Sequence, residues 1–169
     1  MYIATVLQIS TVMKINLIAI SKTDQKYMQE GMQEYLKRLT RYIQFELIEI
    51  PDLKNAKNMS TDEQKKREGE LILAKIEKGS EVILLDDKGK DYTSMQFSKL
   101  LQDKMNSGVK TLSFVIGGPY GFSDDVYVLA NSKFSLSRMT FSHQMVRLIF
   151  LEQLYRGFTI LKNEPYHHE

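Results

Sequence analysis

An α/β fold, with a mainly parallel sheet flanked by helices, is predicted by two features of this sequence. Strand-like and helix-like patterns alternate along the chain, the order that βαβ crossovers produce. In addition, the segments Glu81 to Leu85 and Thr111 to Val115 are near-continuous apolar runs rather than alternating ones. Such runs belong to strands covered on both faces, as in a parallel sheet between helical layers.

The elements follow in order. Lys14 to Ile20 (KINLIAI) reads as a short buried strand. From Asp24 to Tyr42, residues Met28, Met32, Tyr35, Leu36 and Leu39 recur at helical spacing, giving an amphipathic helix. Ile43 to Ile50 alternates as a strand and is stopped by Pro51, which has no N–H for a ladder. Asp52 to Met59 is a polar loop, and Ser60 with Glu63 forms a capping box that opens a helix reaching roughly Glu77. After the strand Glu81 to Leu85, Asp86-Asp87-Lys88-Gly89 reads as a turn. Ser94 is placed to cap a helix with Phe97, Leu100, Leu101 and Met105 inward, ended by Gly108. Thr111 to Ile116 is the next strand, Ser123 caps a short helix through Ala130, and Lys133 to Ser137 is a last short strand. A long helix follows from about Ser142 to Phe158. It is apolar almost all round, so burial on two sides is expected, between the sheet and a second subunit of a homodimer.

Composition narrows the function. At 169 residues, 43% hydrophobic and 26% charged, the chain is an ordinary globular domain in size and makeup. A net charge of +2 is too small to coat nucleic acid by electrostatics alone, although clustered Lys and Arg leave a structured RNA partner open. The absence of cysteine removes disulfides, thiolate nucleophiles and Cys-ligated zinc, and fits a cytoplasmic location. No apolar run approaches the roughly 18 residues of a membrane span. Met1 to Val12 lacks the basic start of a signal peptide. It is expected to be an extension before a natural start at Met13, with 13–169 forming one domain.

Candidate site residues gather late in the chain. The run Val115-Ile116-Gly117-Gly118-Pro119-Tyr120-Gly121-Phe122 is a strand ending in a glycine-dense loop, which leaves backbone groups free to meet a ligand. Its spacing is neither the G-x-G-x-x-G dinucleotide fingerprint nor a P-loop, and Pro119 removes an N–H that a phosphate nest would use. A flat, weakly charged ligand suits it better; a tight turn that only shapes sheet packing is the plainer alternative. Leu136 to Phe141 is a second backbone-rich segment at a strand end, and Leu85 ends a third strand at the same predicted edge. His143 opens the last helix with Arg147 one turn later on the same face. No partner at ligand spacing makes a metal site there. The tail Pro165-Tyr166-His167-His168 reads either as a frayed end or, through Pro165 and Tyr166, as a docked one. The basic runs Lys65-Lys66-Arg67 and Lys37-Arg38 with Arg41 read as solvated helix faces.

Taken together, VIGGPYGF, SLSRMTFSHQMVRLIFLEQLYRGFTI and the NEPYHHE tail resemble the RlmH family of SPOUT-class rRNA methyltransferases. The likeness extends back to Met13-Lys14-Ile15, FELIEIP at Phe45 to Pro51 and KKREGELIL at Lys65 to Leu73, covering Met13 to Glu169. What the resemblance implies is N3-methylation of a pseudouridine in a 23S rRNA stem-loop on assembled ribosomes, with S-adenosylmethionine as methyl donor. It further implies a homodimer and a deep C-terminal trefoil knot. Cofactor contacts are carried over to Leu85, Gly117, Leu136, Ser137, Arg138, Met139, Thr140 and Phe141. Two places depart from the family: Ser142 stands where a proline commonly precedes the histidine, and Met1 to Val12 has no counterpart.

For that reaction, His143 or His167 is the candidate base for the N3 proton, and Arg147 or Arg138 the candidate cation toward the base carbonyls or a phosphate. Rival classes are a small α/β hydrolase or nucleotide-binding enzyme, and a non-enzymatic RNA-binding module. The first is opposed by the missing G-x-S-x-G elbow and P-loop; the second would need no cofactor.

Overall fold

A computed structural model describes residues 12–168 of the chain. The expected extension before Met13 therefore lies, apart from Val12, outside the described residues.

The apolar segments form strands β1 (Lys14–Ile20), β2 (Gln44–Ile50), β3 (Glu81–Asp91), β4 (Thr111–Ile116) and β5 (Ser132–Ser135). The helices between and after them are α1 (Lys26–Leu39), α2 (Thr61–Lys75), α3 (Ser94–Asn106), α4 (Asp124–Leu129) and α5 (His143–Leu161). All five strands run parallel in the order β2-β1-β4-β3-β5. The α/β prediction with a parallel sheet thus describes the molecule.

Side-chain alternation splits the core into two layers. Ile15, Leu17 and Ala19 of β1 and Leu112, Phe114 and Ile116 of β4 point to one face, where Met32 of α1, Phe97 and Leu101 of α3, and Phe150 and Leu154 of α5 cover them. Ile18, Ile20, Val82, Leu84 and Val115 point to the other, under Ile72 of α2 and Val126 of α4. Both faces of the central strands are dry, which is why their sequences read as continuous apolar runs.

Several boundaries differ from expectation for local reasons. The cap of α3 is Thr93, not Ser94: Thr93 Oγ1 accepts from the Gln96 N–H at 3.2 Å while Gln96 Oε1 accepts from the Thr93 N–H at 2.9 Å. That reciprocal pair is a full capping box. For α2, Ser60 accepts from the Glu63 N–H at 3.2 Å, one half of the expected box, while the Glu63 carboxylate pairs with Arg67 at 2.8 Å. Strand β3 does not end at Leu85. Leu85 and Lys90 both pair with Phe134 of β5, and Asp86 to Gly89 loop out of the ladder between them. Finally, α5 extends to Leu161 and lies between α1 and α3, which meet many of the apolar side chains expected to face a partner. A stripe of Met145, Ile149, Gln153, Arg156 and Ile160 on α5 stays only half-buried within the chain.

Candidate cofactor cleft

Strands β3, β4 and β5 release the chain at one edge of the sheet, and a cleft of about 470 Å³ opens between the loops that follow them. Carboxyl-edge crevices are where open parallel sheets bind ligands, because neighbouring loops part there to opposite faces.

Each wall follows from local sequence. Gly118 to Gly121 closes as a tight turn, the Gly121 N–H donating to the Gly118 carbonyl at 3.1 Å. Pro119 suits the second position of such a turn, and Gly121 takes a φ of 83°, where a side chain would be strained. Tyr120 is left at the tip, 53% exposed on the cleft wall. Opposite, Ser137 shapes its own segment: Oγ accepts from the Met139 N–H at 3.0 Å, and its carbonyl accepts from the Ser135 hydroxyl at 3.1 Å.

The looped-out Asp86 to Lys88 adds charge. The Asp86 carboxylate accepts from the Tyr127 hydroxyl at 2.7 Å and from the Lys88 N–H at 2.8 Å. Burial alone would push that carboxyl up, but these two donors hold it below the usual carboxylate range, so it is ionised at neutral pH. Tyr127 responds in the opposite sense, its phenol pushed up to about 12 by burial and by donating to Asp86.

His143 sits at the rim, where helix α5 begins. Loss of hydration, and then the charge of Arg147, push its imidazole below the ordinary value, leaving it neutral at pH 7. The start of α5 is held firmly. Ser142 Oγ caps it by accepting from the Met145 N–H at 3.3 Å, and Gln144 Oε1 accepts from the N–H groups of Asp24 and Gln25 at 3.2 and 3.1 Å. Arg147 is wholly buried, donating to Thr23 Oγ1 at 2.8 Å, Glu49 Oε1 at 3.0 Å and the Ile20 carbonyl at 2.6 Å.

Of the candidates from sequence, Leu85, Gly117, Leu136, Ser137, Met139, Thr140, Phe141 and His143 line this one cleft. Three do not. Arg138 turns outward, 88% exposed, and pairs with Asp91 at 3.0 Å. Arg147 corrects the expectation of a cation facing the reacting base: its guanidinium is sealed inside, spent on tying α5 to the ends of β1 and β2. His167 lies beside Arg156, with Nδ1 3.3 Å from the guanidinium. Arg156 stands about 20 Å along α5 from His143 at the helical rise. The tail is docked rather than frayed. Tyr166 packs on Tyr155 at 4.8 Å between ring centroids, lies under Arg156, and donates to Glu152 at 3.1 Å.

Sequence reasoning missed Asp86, Asp87 and Tyr127 as cleft residues. Two adjacent carboxylates directly after a buried parallel strand were the available signal for the first pair. Among the described residues no group of three or more His, Asp or Glu is placed to hold a metal ion. None of the described helices is long and apolar enough to cross a membrane.

In an open parallel α/β sheet, a cleft of this kind across three strand ends is the expected place for a small organic ligand. Residues 13–167 match the family described as "Predicted SPOUT methyltransferase", and the chain belongs to that family. The ribosomal RNA large subunit methyltransferase H of Flavobacterium psychrophilum is 64% identical over 157 residues, 93% of this chain and 100% of that relative. The proteins of the same name from Flavobacterium johnsoniae and Parabacteroides distasonis are 63% and 60% identical, with the same 93% and 100% coverage. Among solved structures, the SpoU methyltransferase AviRb from Streptomyces viridochromogenes, in complex with AdoMet, matches at 10% identity and a TM-score of 0.42. That match covers 86% of this chain and 58% of the other.

Proposed function

We propose that this chain uses S-adenosylmethionine to methylate large-subunit ribosomal RNA, at N3 of a pseudouridine in a 23S rRNA stem-loop of the assembled ribosome. It acts in the cytoplasm as a homodimer. The observation that carries the reading is the meeting of Leu85, Gly117, Leu136, Ser137, Met139, Thr140 and Phe141 in one cleft with His143 at its rim. The names of relatives at 60–64% identity supply the substrate class.

The cleft fits the cofactor chemically. The lining, apolar at Leu85, Leu136, Met139 and Phe141 and free of bulky side chains at Gly117 and Gly118, suits a flat purine. The ionised Asp86 suits a ligand that carries ammonium and sulfonium charge. When bound, S-adenosylmethionine supplies an electrophilic methyl on a good leaving group. What remains for the chain is to align a nucleophile within about 3–3.5 Å and to remove its proton. His143 is neutral and at the rim, so it takes the N3 proton as the nitrogen attacks. Arg138, exposed between the cleft residues Ser137 and Met139 and paired with Asp91, is the cation available to an RNA phosphate outside the cleft.

His167, held beside Arg156 toward the far end of α5, is too distant to serve the cleft of its own chain. The half-buried stripe on α5 and the docked tail beside it favour a two-fold pairing across this helix. Such pairing allows the tail of one subunit to approach the other's cleft. With a net charge of +2, binding to a naked hairpin is weak, and recognition depends on the shape of the ribosome. The test is transfer of labelled methyl to ribosomes that lack the modification, followed by digestion and identification of the nucleoside. Label in N3-methylpseudouridine is expected; label in another nucleoside, or none with the cofactor bound, overturns the assignment.

A further inference from the structure

Behind the glycine turn, on the side away from the cleft, lies a buried acid that no step of the reaction uses. Glu68 of α2 is 3% exposed. Its Oε1 accepts from the Gln64 amide at 2.8 Å, while Oε2 is buried without a hydrogen-bond partner. The carboxyl is pressed flat against the loop. A Cβ built on Gly118 would fall 2.1 Å from Oε2, 2.6 Å from Cδ and 2.8 Å from Oε1. The next residue repeats the pattern, since a Cβ on Gly69 would fall 2.1 Å from the Oγ of Ser123, where the loop enters α4. Consecutive residues of α2 therefore back the loop near both its ends.

A carboxyl is a poor filler for such a place if filling is all that is needed, because an apolar side chain packs without desolvation cost. Burial raises its proton affinity, partly offset by the Gln64 amide, with a smaller further push from Asp52 in the loop after β2. Protonated or ionised, the carboxyl is planar, and flatness is what the close approach to Gly118 requires. A planar group can lie against a Cα that bears no side chain; a branched one cannot.

We infer that Glu68 is a positioning residue for the cofactor: its planar carboxyl seats Gly118 and thereby sets the wall that Gly117 to Gly121 present to the cleft. This rests on the reading of the cleft as the S-adenosylmethionine site. The pairing is reciprocal, so it predicts non-additive substitutions.

The experiment measures S-adenosylhomocysteine affinity by calorimetry, with circular dichroism and thermal unfolding on every variant. Glu68→Gln, flat and neutral, is expected to bind within about twofold of wild type, because it preserves the shape on which the seating depends. Glu68→Ala, which leaves the loop unsupported, should weaken binding by about tenfold or more, roughly the scale of one lost preorganised contact. Gly118→Ala should weaken it as much in the wild-type background. In the Glu68→Ala background the same methyl enters vacated space and should cost less than about threefold, within ordinary packing tolerance. If Glu68→Ala does not fold, Glu68→Ser opens the same space and replaces it in both comparisons. Wild-type affinity in the folded Glu68 truncation, or an equal Gly118→Ala penalty in both backgrounds, would overturn the inference. A wild-type chain that binds no S-adenosylhomocysteine would instead refute the cofactor reading beneath it.

Discussion

Replacing Arg147 with methionine removes the fastening between α5 and the sheet while keeping most of the aliphatic volume. The guanidinium is fully buried and makes hydrogen bonds of 2.8, 3.0 and 2.6 Å to Thr23, Glu49 and the Ile20 carbonyl. After the substitution Glu49 keeps only the Thr23 N–H at 2.8 Å and the Thr23 hydroxyl at 2.7 Å, and loses its counter-ion. Breaking a buried ion pair from one side costs about 3–5 kcal/mol. The Glu49 side chain is 28% exposed, so water recovers part of that loss, and the lower end, about 3 kcal/mol, is expected. For a chain of this length that is a fall in Tm of about 6–12 °C. Urea denaturation with an unchanged slope gives the free energy directly. Because the cost arises largely from stranding Glu49, the double variant Arg147→Met/Glu49→Gln should recover at least about 1 kcal/mol relative to additivity. A Tm loss below about 2 °C in Arg147→Met, or strict additivity in the cycle, would refute the claim that this buried pair holds the start of α5.

Three further outcomes follow from the same coordinates. The imidazole of His143 is held below its ordinary 6.5, so the acid limb of single-turnover methyl transfer should have its midpoint below that value. His143→Ala should abolish that limb and slow transfer by about 10² or more, and an unchanged profile and rate would exclude His143 as the base. Glu68, whose folded carboxyl is raised above 4.5, contributes most to stability below that pH. The contribution is lost as pH rises through the folded value, because the unfolded chain ionises first. Measured across pH 4 to 8, wild type should therefore lose stability relative to Glu68→Gln as pH increases, and the reverse trend would contradict a carboxyl whose proton affinity is raised by folding. Thr93→Ala removes half of the capping box on α3 and should cost about 1 kcal/mol in urea denaturation, whereas Ser94→Ala should cost less than half as much.

What was legible in the sequence is what depends on periodicity. The alternating layers, the dry central strands and the long final helix follow from where apolar residues recur. So does the convergence of three loops, because parallel strands put every carboxyl end at one edge. Direction within a loop was not legible. Arg147 and His143 occupy one helix face by spacing, yet one is sealed against Glu49 while the other reaches the rim, a difference set by how α5 seats on β1 and β2. Arg138 sits among cleft residues in sequence but turns to Asp91 in space. The turn expected at Asp86 to Gly89 proved to be a loop-out from a continuing strand, because Lys90 and Asp91 return to pair with β5. That return carries Asp86 into the cleft. Glu68 was hidden for a related reason: nothing local to α2 marks the one acid that meets Gly118, 50 residues further along.

The central claim is that the carboxyl-edge cleft holds the methyl donor. Titrating the ¹⁵N-labelled chain with S-adenosylhomocysteine and following backbone amide shifts tests it most directly. The largest shifts are expected at Leu85, Gly117, Gly118, Tyr120, Gly121 and Leu136 to Phe141, with Arg147 little changed. Saturable binding whose shifts fall instead on the groove between α1 and β2, around Gln29, Leu36 and Leu47, would contradict the account.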